Sequence, residues 1–296
     1  MHNVTSATDI PVISVAADCL PEAWEKAMLA VWDDGLEIKT QYDKPDDPPS
    51  RDATVAVTIS NPLAEPRIHK NFPGGPAELE AYRQEVIDGI HDHWIDPDAG
   101  KWTYTYHQRL FAYSPPQGKS EADAHEAPGA ADQIGYIVDC LSKAGYSRRA
   151  QAITWIPAAD MNTDHPPCLQ RIWCRLVTDQ AGGLALNMNT HWRSRDLYKA
   201  WFMNVYALTD LQSIIAERLS QRINQKVTLG RYVDISDSLH IYGSYYDEVA
   251  KEIEKMRRSP FTDRAWPSTH PAFEMMTQEA KENLVKDPDW YAKARH

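Results

Sequence analysis

Residues 165–196 read HPPCLQRIWCRLVTDQAGGLALNMNTHWRSRD and decide the fold class. Residues 172–177 and 184–190 within this segment have the apolar and β-branched composition of strands. Residues 208–219 follow as the clearest helix, because their apolar side chains recur at i, i+3 and i+4. Residues 227–234 then form another predicted strand. Strands and helices that alternate in this way indicate an α/β or α+β protein.

The same alternation extends outward in both directions. Before the segment we predict helices over residues 21–32, 78–90 and 133–144, strands over 54–59 and 150–155, and loops over 44–50 and 117–132. After it we predict a helix over residues 245–256, whereas the last 30 or so residues show no strong periodicity. There is no internal repeat and no composition break. The chain is therefore expected to form a single domain over residues 1–296.

Composition limits the class of protein. Of 296 residues, 43% are hydrophobic and 25% are charged, which is ordinary for a soluble globular chain. The net charge of -11 disfavours nonspecific binding to nucleic acid or to an anionic membrane. The four cysteines match no zinc or disulfide pattern, and neither a signal peptide nor a membrane span is evident. A cytoplasmic protein is the simplest expectation.

Cys168 is the candidate nucleophile. Two prolines precede it in His165-Pro166-Pro167-Cys168, and they stiffen the backbone that aims the thiol. A thiolate becomes a strong nucleophile when nearby cations lower its pKa, and arginines lie both upstream and downstream. Taken alone, the motif leaves open that Cys168 is a small buried hydrophobic residue.

Further motifs follow in a fixed order. Ser147-Arg148-Arg149 precedes the cysteine, and Arg193-Ser194-x-Asp196, then Asn204 eight residues beyond that aspartate, then His240-Ile241-Tyr242 follow it. Together these motifs resemble thymidylate synthases and the related phage pyrimidine nucleotide hydroxymethylases, over about residues 51–242. The resemblance implies a large mixed sheet flanked by helices and a sheet-to-sheet homodimer with shared active sites. Residues 258–296 would be a C-terminal extension.

The resemblance assigns five residues to the substrate phosphate. Arg193 and Ser194 match the phosphate-binding Arg-Ser pair of the family. Arg148 and Arg149 match arginines that reach the phosphate in the partner subunit. Arg51, before the first predicted strand, resembles an N-terminal phosphate arginine. The planar guanidinium fork suits this work because it binds phosphate oxygens in pairs.

Other matches concern the base, the sugar and the cofactor. Asn204 matches the residue that reads the base edge, and its amide can satisfy O4 and N3–H of uracil. His240 and Tyr242 match a pair near the sugar. Asp196 matches an aspartate that meets the pterin ring of 5,10-methylenetetrahydrofolate, the cofactor that the resemblance implies. These motifs do not decide whether the base is uracil or cytosine, or whether the sugar is deoxyribose or ribose.

Two residues are assigned to proton transfer at the base. Glu85, on the helix predicted over residues 78–90, resembles the catalytic glutamate of the family. Tyr106, in Tyr104-Thr105-Tyr106-His107, resembles the tyrosine that helps remove the C5 proton. The stretch between them is shorter than in thymidylate synthases, and the tryptophan that the family has there cannot be placed.

The chain departs from the pattern at two places. Leu169 follows the nucleophile where thymidylate synthases usually have histidine, and residues 290–296 do not resemble their short apolar tail. That tail excludes water while hydride moves to the one-carbon group. An unsealed site would let water add instead, so we favour 5-hydroxymethylation slightly over reductive methylation. A dCMP- or CMP-specific hydroxymethylase or methyltransferase is a further alternative.

Other classes fit less well. A cysteine hydrolase has no use for an Arg-Ser phosphate clamp, and a catalytically inactive scaffold does not need Cys168, Arg193 and Asn204 together. His91-Asp92-His93 offers no third metal ligand, so we expect no metal. The chain also lacks a phosphate loop of the nucleotide-triphosphate type and a GxGxxG motif.

Overall fold

The computed structural model describes residues 8–114 and 130–294. The described strands, numbered in chain order, are β1 (Val12–Ala17), β2 (Leu36–Ile38), β3 (Ser50–Ile59), β4 (Ile68–His69), β5 (Gln151–Ile153), β6 (Leu169–Thr178), β7 (Leu184–Trp192), β8 (Arg195–Asp196), β9 (Val227–Ile241) and β10 (Ala265–Trp266). The described helices are α1 (Leu20–Asp34), α2 (Pro76–Asp88), α3 (Tyr106–Phe111), α4 (Gln133–Lys143), α5 (Pro157–Asp160), α6 (Trp201–Ile223), α7 (Tyr246–Arg258), α8 (Pro271–Lys286) and α9 (Trp290–Ala294).

A mixed eight-stranded sheet forms the centre of the molecule. Six strands run in the order β1-β3-β9-β7-β6-β5, β2 pairs with β3, and β8 pairs with β9. β3 and β9 are antiparallel, whereas β7 and β9 are parallel. β4 and β10 make a separate two-stranded sheet. The predicted fold class, a large mixed sheet flanked by helices, is confirmed.

The two faces of the sheet have different environments. In β6, Ile172 and Cys174 are fully buried, because alternate side chains point to the face that the helices cover. Trp173 and Arg175 point to the other face and are half-buried, and Val177 is 49% exposed there. In this chain by itself, that second face presents apolar and cationic side chains to solvent.

Most of the predicted helices and strands are present, but they begin or end at residues other than those predicted. The strand predicted over residues 227–234 extends through Ile241, and the helix predicted over 208–219 begins already at Trp201. β1 was not predicted, and the unpatterned C-terminal region contains α8 and α9. The loop predicted over residues 117–132 falls mostly outside the described residues. Within residues 8–114 and 130–294, no helix is long and apolar enough to cross a membrane.

Candidate active site around Cys168

Cys168 is half-buried and immediately precedes β6. Its carbonyl oxygen accepts a hydrogen bond from the backbone N–H of Arg193 at 2.9 Å, at the end of β7. The next peptide N–H, that of Leu169, donates to the phenol oxygen of Tyr106 at 3.2 Å. Tyr106 begins α3, which Thr105 caps by accepting a hydrogen bond from the N–H of Gln108. The backbone on either side of the thiol is thus fixed by a strand end and a helix start.

The Arg193 side chain braces the turn that carries the cysteine. Its Nε donates to the Pro167 carbonyl at 3.1 Å, and its Nη2 donates to the Pro166 carbonyl at 2.7 Å. Among the described residues Nη1 has no hydrogen-bond partner, so one edge of the fork is available to an anion. Ser194 follows directly and is half-buried. The predicted phosphate pair therefore lies next to the nucleophile.

A group of half-buried tyrosines, Tyr82, Tyr104 and Tyr106, lies near the cysteine. Burial raises the pKa of Tyr104 to about 12, with a further contribution from Cys168. Burial also raises the pKa of Tyr82 and of Tyr106 well above the ordinary value, and neighbouring tyrosines add to the effect on Tyr106. These phenols remain neutral at physiological pH. The sequence prediction missed Tyr82 and Tyr104, although Tyr82 lies one helical turn before Glu85 and Tyr104 two residues before Tyr106.

Asn204 lies in the first turn of α6 and is only 6% exposed. Its side-chain Nδ2 donates to the phenol oxygen of Tyr82 at 2.7 Å. After burial, the nearby charge of Glu85 makes the largest contribution to the raised pKa of Tyr82. The predicted base-reading residue is thereby connected to the tyrosine group and to Glu85.

The strand pairing of β8 and β9 places Asp196 beside His240. Burial raises the pKa of Asp196 to about 6 and lowers that of His240 to about 4, so the imidazole is neutral at pH 7. The ring of Tyr242 lies 4.6 Å from that of His240, centre to centre. Burial raises the pKa of Tyr242, and Asp196 and Cys168 contribute. These predicted sugar and pterin residues therefore form one group near the thiol.

Glu85 borders two cavities. One, of about 650 Å³, is shared with Tyr104, Tyr106 and His165. The other, of about 570 Å³, has apolar and aromatic walls, lined by Tyr82, Trp94, Trp102, Met203 and Tyr291 among others. Trp94 and Trp102 give this cavity an aromatic wall near Glu85.

Three predicted phosphate arginines lie elsewhere in this chain. Arg51 pairs with Ile241 in the β3–β9 ladder, whereas His240 pairs with Asp52, so Arg51 points to the opposite face of the sheet. Its guanidinium donates to the Trp32 carbonyl and to Glu37. The structure does not bring Arg51 to the Cys168 group.

Arg148 and Arg149 are exposed beside β5 and β6. The Trp173 indole donates to the Arg148 carbonyl at 3.1 Å, so this segment borders the open face of the sheet. Their side chains are therefore directed to solvent in this chain. As for metals, residues 8–114 and 130–294 contain no group of three or more His, Cys, Asp or Glu side chains arranged to hold an ion.

The family model described as thymidylate synthase matches residues 78–279. The chain belongs to the thymidylate synthase family. The matched region contains Glu85, Tyr106, Cys168, Arg193 and Asn204 but not Arg51. Members of the thymidylate synthase family are one-carbon transferases that use 5,10-methylenetetrahydrofolate, and this chain is an enzyme of that kind.

Curated relatives and a solved structure agree with this membership. A protein of Methanosarcina mazei named "Putative thymidylate synthase" is 27% identical over 237 residues, which is 79% of this chain and 92% of the relative. A protein of the same name from Methanothermobacter marburgensis is 26% identical over 248 residues, 81% of this chain and 97% of the relative. The solved thermostable thymidylate synthase A from Bacillus subtilis has the same fold, with a TM-score of 0.55 and 16% identity over 83% of this chain and 92% of that chain.

Proposed function

We propose that this thymidylate synthase family enzyme transfers a one-carbon group to C5 of a pyrimidine nucleoside 5′-monophosphate, dUMP by preference, through a covalent adduct of Cys168. The observation that carries the proposal is the bracing of the Cys168 backbone. Arg193 holds its carbonyl at 2.9 Å, and Tyr106 holds the next N–H at 3.2 Å. These two hydrogen bonds connect the nucleophile to the phosphate arginine and to the proton-transfer tyrosine, and such fixed positions favour catalysis by proximity.

The substrate phosphate binds to Arg193 and Ser194, and to Arg148 and Arg149 of a second subunit. The exposed position of the last two supports this arrangement, because neither arginine lies near Cys168 of its own chain. We propose a sheet-to-sheet homodimer in which the open face that carries Trp173 is covered by its copy. A twofold dimer is the commonest symmetric assembly.

The base binds to Asn204, and the sugar binds to His240 and Tyr242. The Asn204 amide offers a donor to O4 and an acceptor to N3–H, which is the pattern that uracil requires. Since burial lowers the pKa of His240 to about 4, the neutral imidazole can donate one hydrogen bond and accept another, as a sugar hydroxyl does.

The aromatic cavity of about 570 Å³ beside Glu85 fits a pterin ring. Its Trp94, Trp102 and Tyr291 side chains offer flat apolar surfaces, and we propose that they hold the folate, with Asp196 meeting the pterin from the nucleotide side. When bound, 5,10-methylenetetrahydrofolate supplies the one-carbon group and, for methylation, the hydride. Its position next to Glu85 would bring that group to the base.

The protein side chains activate the base and move its protons. The Cys168 thiolate forms a bond from Sγ to C6, and the C5=C6 electron pair moves toward C5 and O4, which makes C5 a nucleophile. Glu85 exchanges protons at the base through a hydrogen-bond network, and Tyr106 assists removal of the C5 proton. Re-formation of the C5=C6 double bond expels the Cys168 thiolate and restores the enzyme.

The position of the C-terminal segment bears on the product. The tail sequence, which is unlike that of thymidylate synthases, favours hydroxymethylation. However, Tyr291 and Ala292 line the cavity that contains Glu85, so this chain has a C-terminal segment at its folate cavity. A C-terminal segment at this place would restrict the access of water to the one-carbon group. We therefore propose reductive methylation as the main reaction, with 5-hydroxymethylation as the alternative.

Product analysis tests the proposal. The protein is incubated with methylenetetrahydrofolate and, separately, dUMP, dCMP, UMP or CMP, and the nucleotides are examined by mass spectrometry. We expect a 5-methyl product from dUMP. A 5-hydroxymethyl product would restore the alternative, and no C5 product from any of the four nucleotides would contradict the proposed function.

A further inference from the structure

His91 lies between Glu85 and the C-terminal segment. Its ring Nδ1 is 2.8 Å from Glu85 Oε2, and its Nε2 is 3.0 Å from the carbonyl oxygen of Pro288. The ring stacks on Trp94, with centres 3.7 Å apart and planes 8° apart, and the residue is only 5% exposed. Packing therefore fixes the orientation of both ring nitrogens.

The Pro288 contact decides where the protons are. A carbonyl oxygen can only accept, so Nε2 of His91 must carry a proton. Nδ1 then either carries a proton itself and faces a Glu85 carboxylate, or has a lone pair and faces a protonated Glu85. In both cases one proton lies between Nδ1 and Oε2. Its loss would leave two electron pairs facing each other across 2.8 Å in a buried place, which is unfavourable.

The same turn of the chain anchors the C-terminal segment. The Trp94 indole Nε1 donates to Asp289 Oδ1 at 2.7 Å, and His93 Nε2 lies 2.9 Å from the same oxygen. Residues 91–94 thus make two kinds of contact. Their side chains hold residues 288–289 in place, and His91 also shares a proton with Glu85. Tyr291, two residues after Asp289, lines the cavity that contains Glu85.

Other titratable groups near His91 are engaged elsewhere or lie farther away. Asp92 binds the Thr105 hydroxyl and lies 2.6 Å from His107 Nδ1, so its carboxylate points toward α3. The His93 ring is 6.4 Å from that of His91 and contacts Asp289. From α2, Glu78 and Glu85 both line the cavity, but Glu85 is the acid in hydrogen-bond contact with His91.

We propose that His91 is a positioning residue through which docking of the C-terminal segment keeps a proton on the Glu85–His91 pair. The proposal rests on the proposed role of Glu85 in proton transfer. With residues 288–289 docked, the pair holds a proton that Glu85 can deliver to the base. With them undocked, Nε2 no longer faces the Pro288 carbonyl and its proton is released to water. The neutral ring then keeps one proton, on Nδ1 toward the Glu85 carboxylate, so the undocked pair holds one proton fewer than the docked pair.

Nitrogen NMR of the full-length protein labelled with ¹⁵N-histidine tests the proton assignment without any activity measurement. The His91 signals are identified by their loss in His91→Gln. We expect Nε2 of His91 to carry a proton in the wild type, because it donates to the Pro288 carbonyl. Asp289→Ala removes the anchor and should produce the tautomer protonated at Nδ1, whereas Lys286→Gln, an exposed change at the end of α8, should not. A wild-type His91 protonated only at Nδ1 would overturn the proposal.

Kinetics provide the second test. His91→Gln should lower kcat between about 10-fold and 100-fold with much smaller changes in KM, because the reacting groups are misplaced after binding. Asp289→Ala should act in the same direction, and the double variant should be no worse than His91→Gln alone. His107→Gln, which removes a histidine paired with Asp92 instead of Glu85, is the matched control and should retain wild-type kcat.

The two proposals fail in different ways. Wild-type kcat in His91→Gln, in a protein whose Cys168 still forms its adduct, would overturn the role of His91 and leave the proposed function intact. Failure of the wild-type protein to form any Cys168 adduct would instead contradict the proposed function, whatever the His91 spectra show. Asp289 is on the surface segment, so its variant remains informative if His91→Gln does not fold.

Discussion

The side-chain nitrogen of Asn204 lies 2.7 Å from the phenol oxygen of Tyr82. The amide nitrogen donates this bond and the phenol oxygen accepts it. One N–H and the Oδ1 acceptor then remain for the base. Because burial raises the pKa of Tyr82 well above its ordinary value, this arrangement persists across the physiological pH range.

Asn204→Asp should shift preference from uracil toward cytosine nucleotides. A carboxylate accepts from the N4 amine of cytosine and, when protonated, donates to N3. Leaving one buried polar group unpaired costs about 1–3 kcal/mol, so the ratio of kcat/KM for dUMP and dCMP should change by roughly tenfold to a hundredfold. Tyr82→Phe removes only the phenol oxygen that accepts from Asn204. It should lower the preference for dUMP over dCMP without reversing it. A wild type that already prefers dCMP or CMP would show that Asn204 does not select uracil.

Arg193→Ala should weaken nucleotide binding by about 1.5–3 kcal/mol, the usual range for a hydrogen bond to a charged group. Binding of the free nucleoside, which has no phosphate, should change much less. Calorimetric titration with dUMP and deoxyuridine measures both, and Arg218→Ala on the exposed side of α6 serves as the control. Equal losses for the two ligands would mean that Arg193 acts only by bracing the Pro166-Pro167 turn.

Mixed dimers should reveal the shared active site. A heterodimer of Cys168→Ala and Arg149→Ala subunits contains one site with both groups intact, so mixing should restore part of the activity. Cys168→Ala mixed with Arg193→Ala is the matched control. These two residues belong to the same subunit's site, and no heterodimer regains both. Sedimentation of the wild type as a monomer at micromolar concentration would contradict the dimer.

Asp196 should make a measurable contribution to the pH dependence of stability. Its pKa is raised by burial from 3.8 to about 6, so between these values the folded protein holds a proton that the unfolded chain has released. Stability contributed by Asp196 is therefore lost as pH rises through this range. Asp196→Asn keeps the Oδ1 acceptor for the N–H groups of Tyr198 and Lys199.

The Asn variant should therefore match the wild type near pH 3 and become more stable than it by about 2–3 kcal/mol at pH 7. Urea unfolding of both proteins at several pH values gives the difference. His240, whose pKa is lowered to about 4, has the opposite pH dependence in both proteins and largely cancels in the comparison. If the difference in unfolding free energy between the two proteins does not vary with pH, the pKa of Asp196 is not raised in the folded protein.

The sequence predicted β3, β6, β7 and the middle of α6 because their periodicity is local, but it missed β1, the start of α6 and the end of β9. It could not show on which face of β3 Arg51 lies, because strand parity changes with a single position. Asp52 pairs with His240, and Arg51, one residue earlier, points to the other face. No local pattern in the sequence shows which of these two neighbouring residues points to the face that contains His240.

The role of His91 was missed for a different reason. The sequence shows it only as part of His91-Asp92-His93, which suggested a metal site and no more. Its actual neighbour, the Pro288 carbonyl, is 197 residues away along the chain. Likewise the C-terminal region has little periodicity, yet α8 packs beside α2 and Tyr291 reaches the cavity of Glu85. Such contacts depend on tertiary packing and have no signature in a single segment.

The most direct test of the account is the covalent bond to Cys168. The protein is incubated with 5-fluoro-dUMP and methylenetetrahydrofolate, and its intact mass and digested peptides are measured. We predict a mass increase equal to both ligands, located on Cys168, in the wild type and in the control Cys140→Ala, and none in Cys168→Ala. The absence of an adduct in the wild type, or its persistence in Cys168→Ala, would contradict the mechanism.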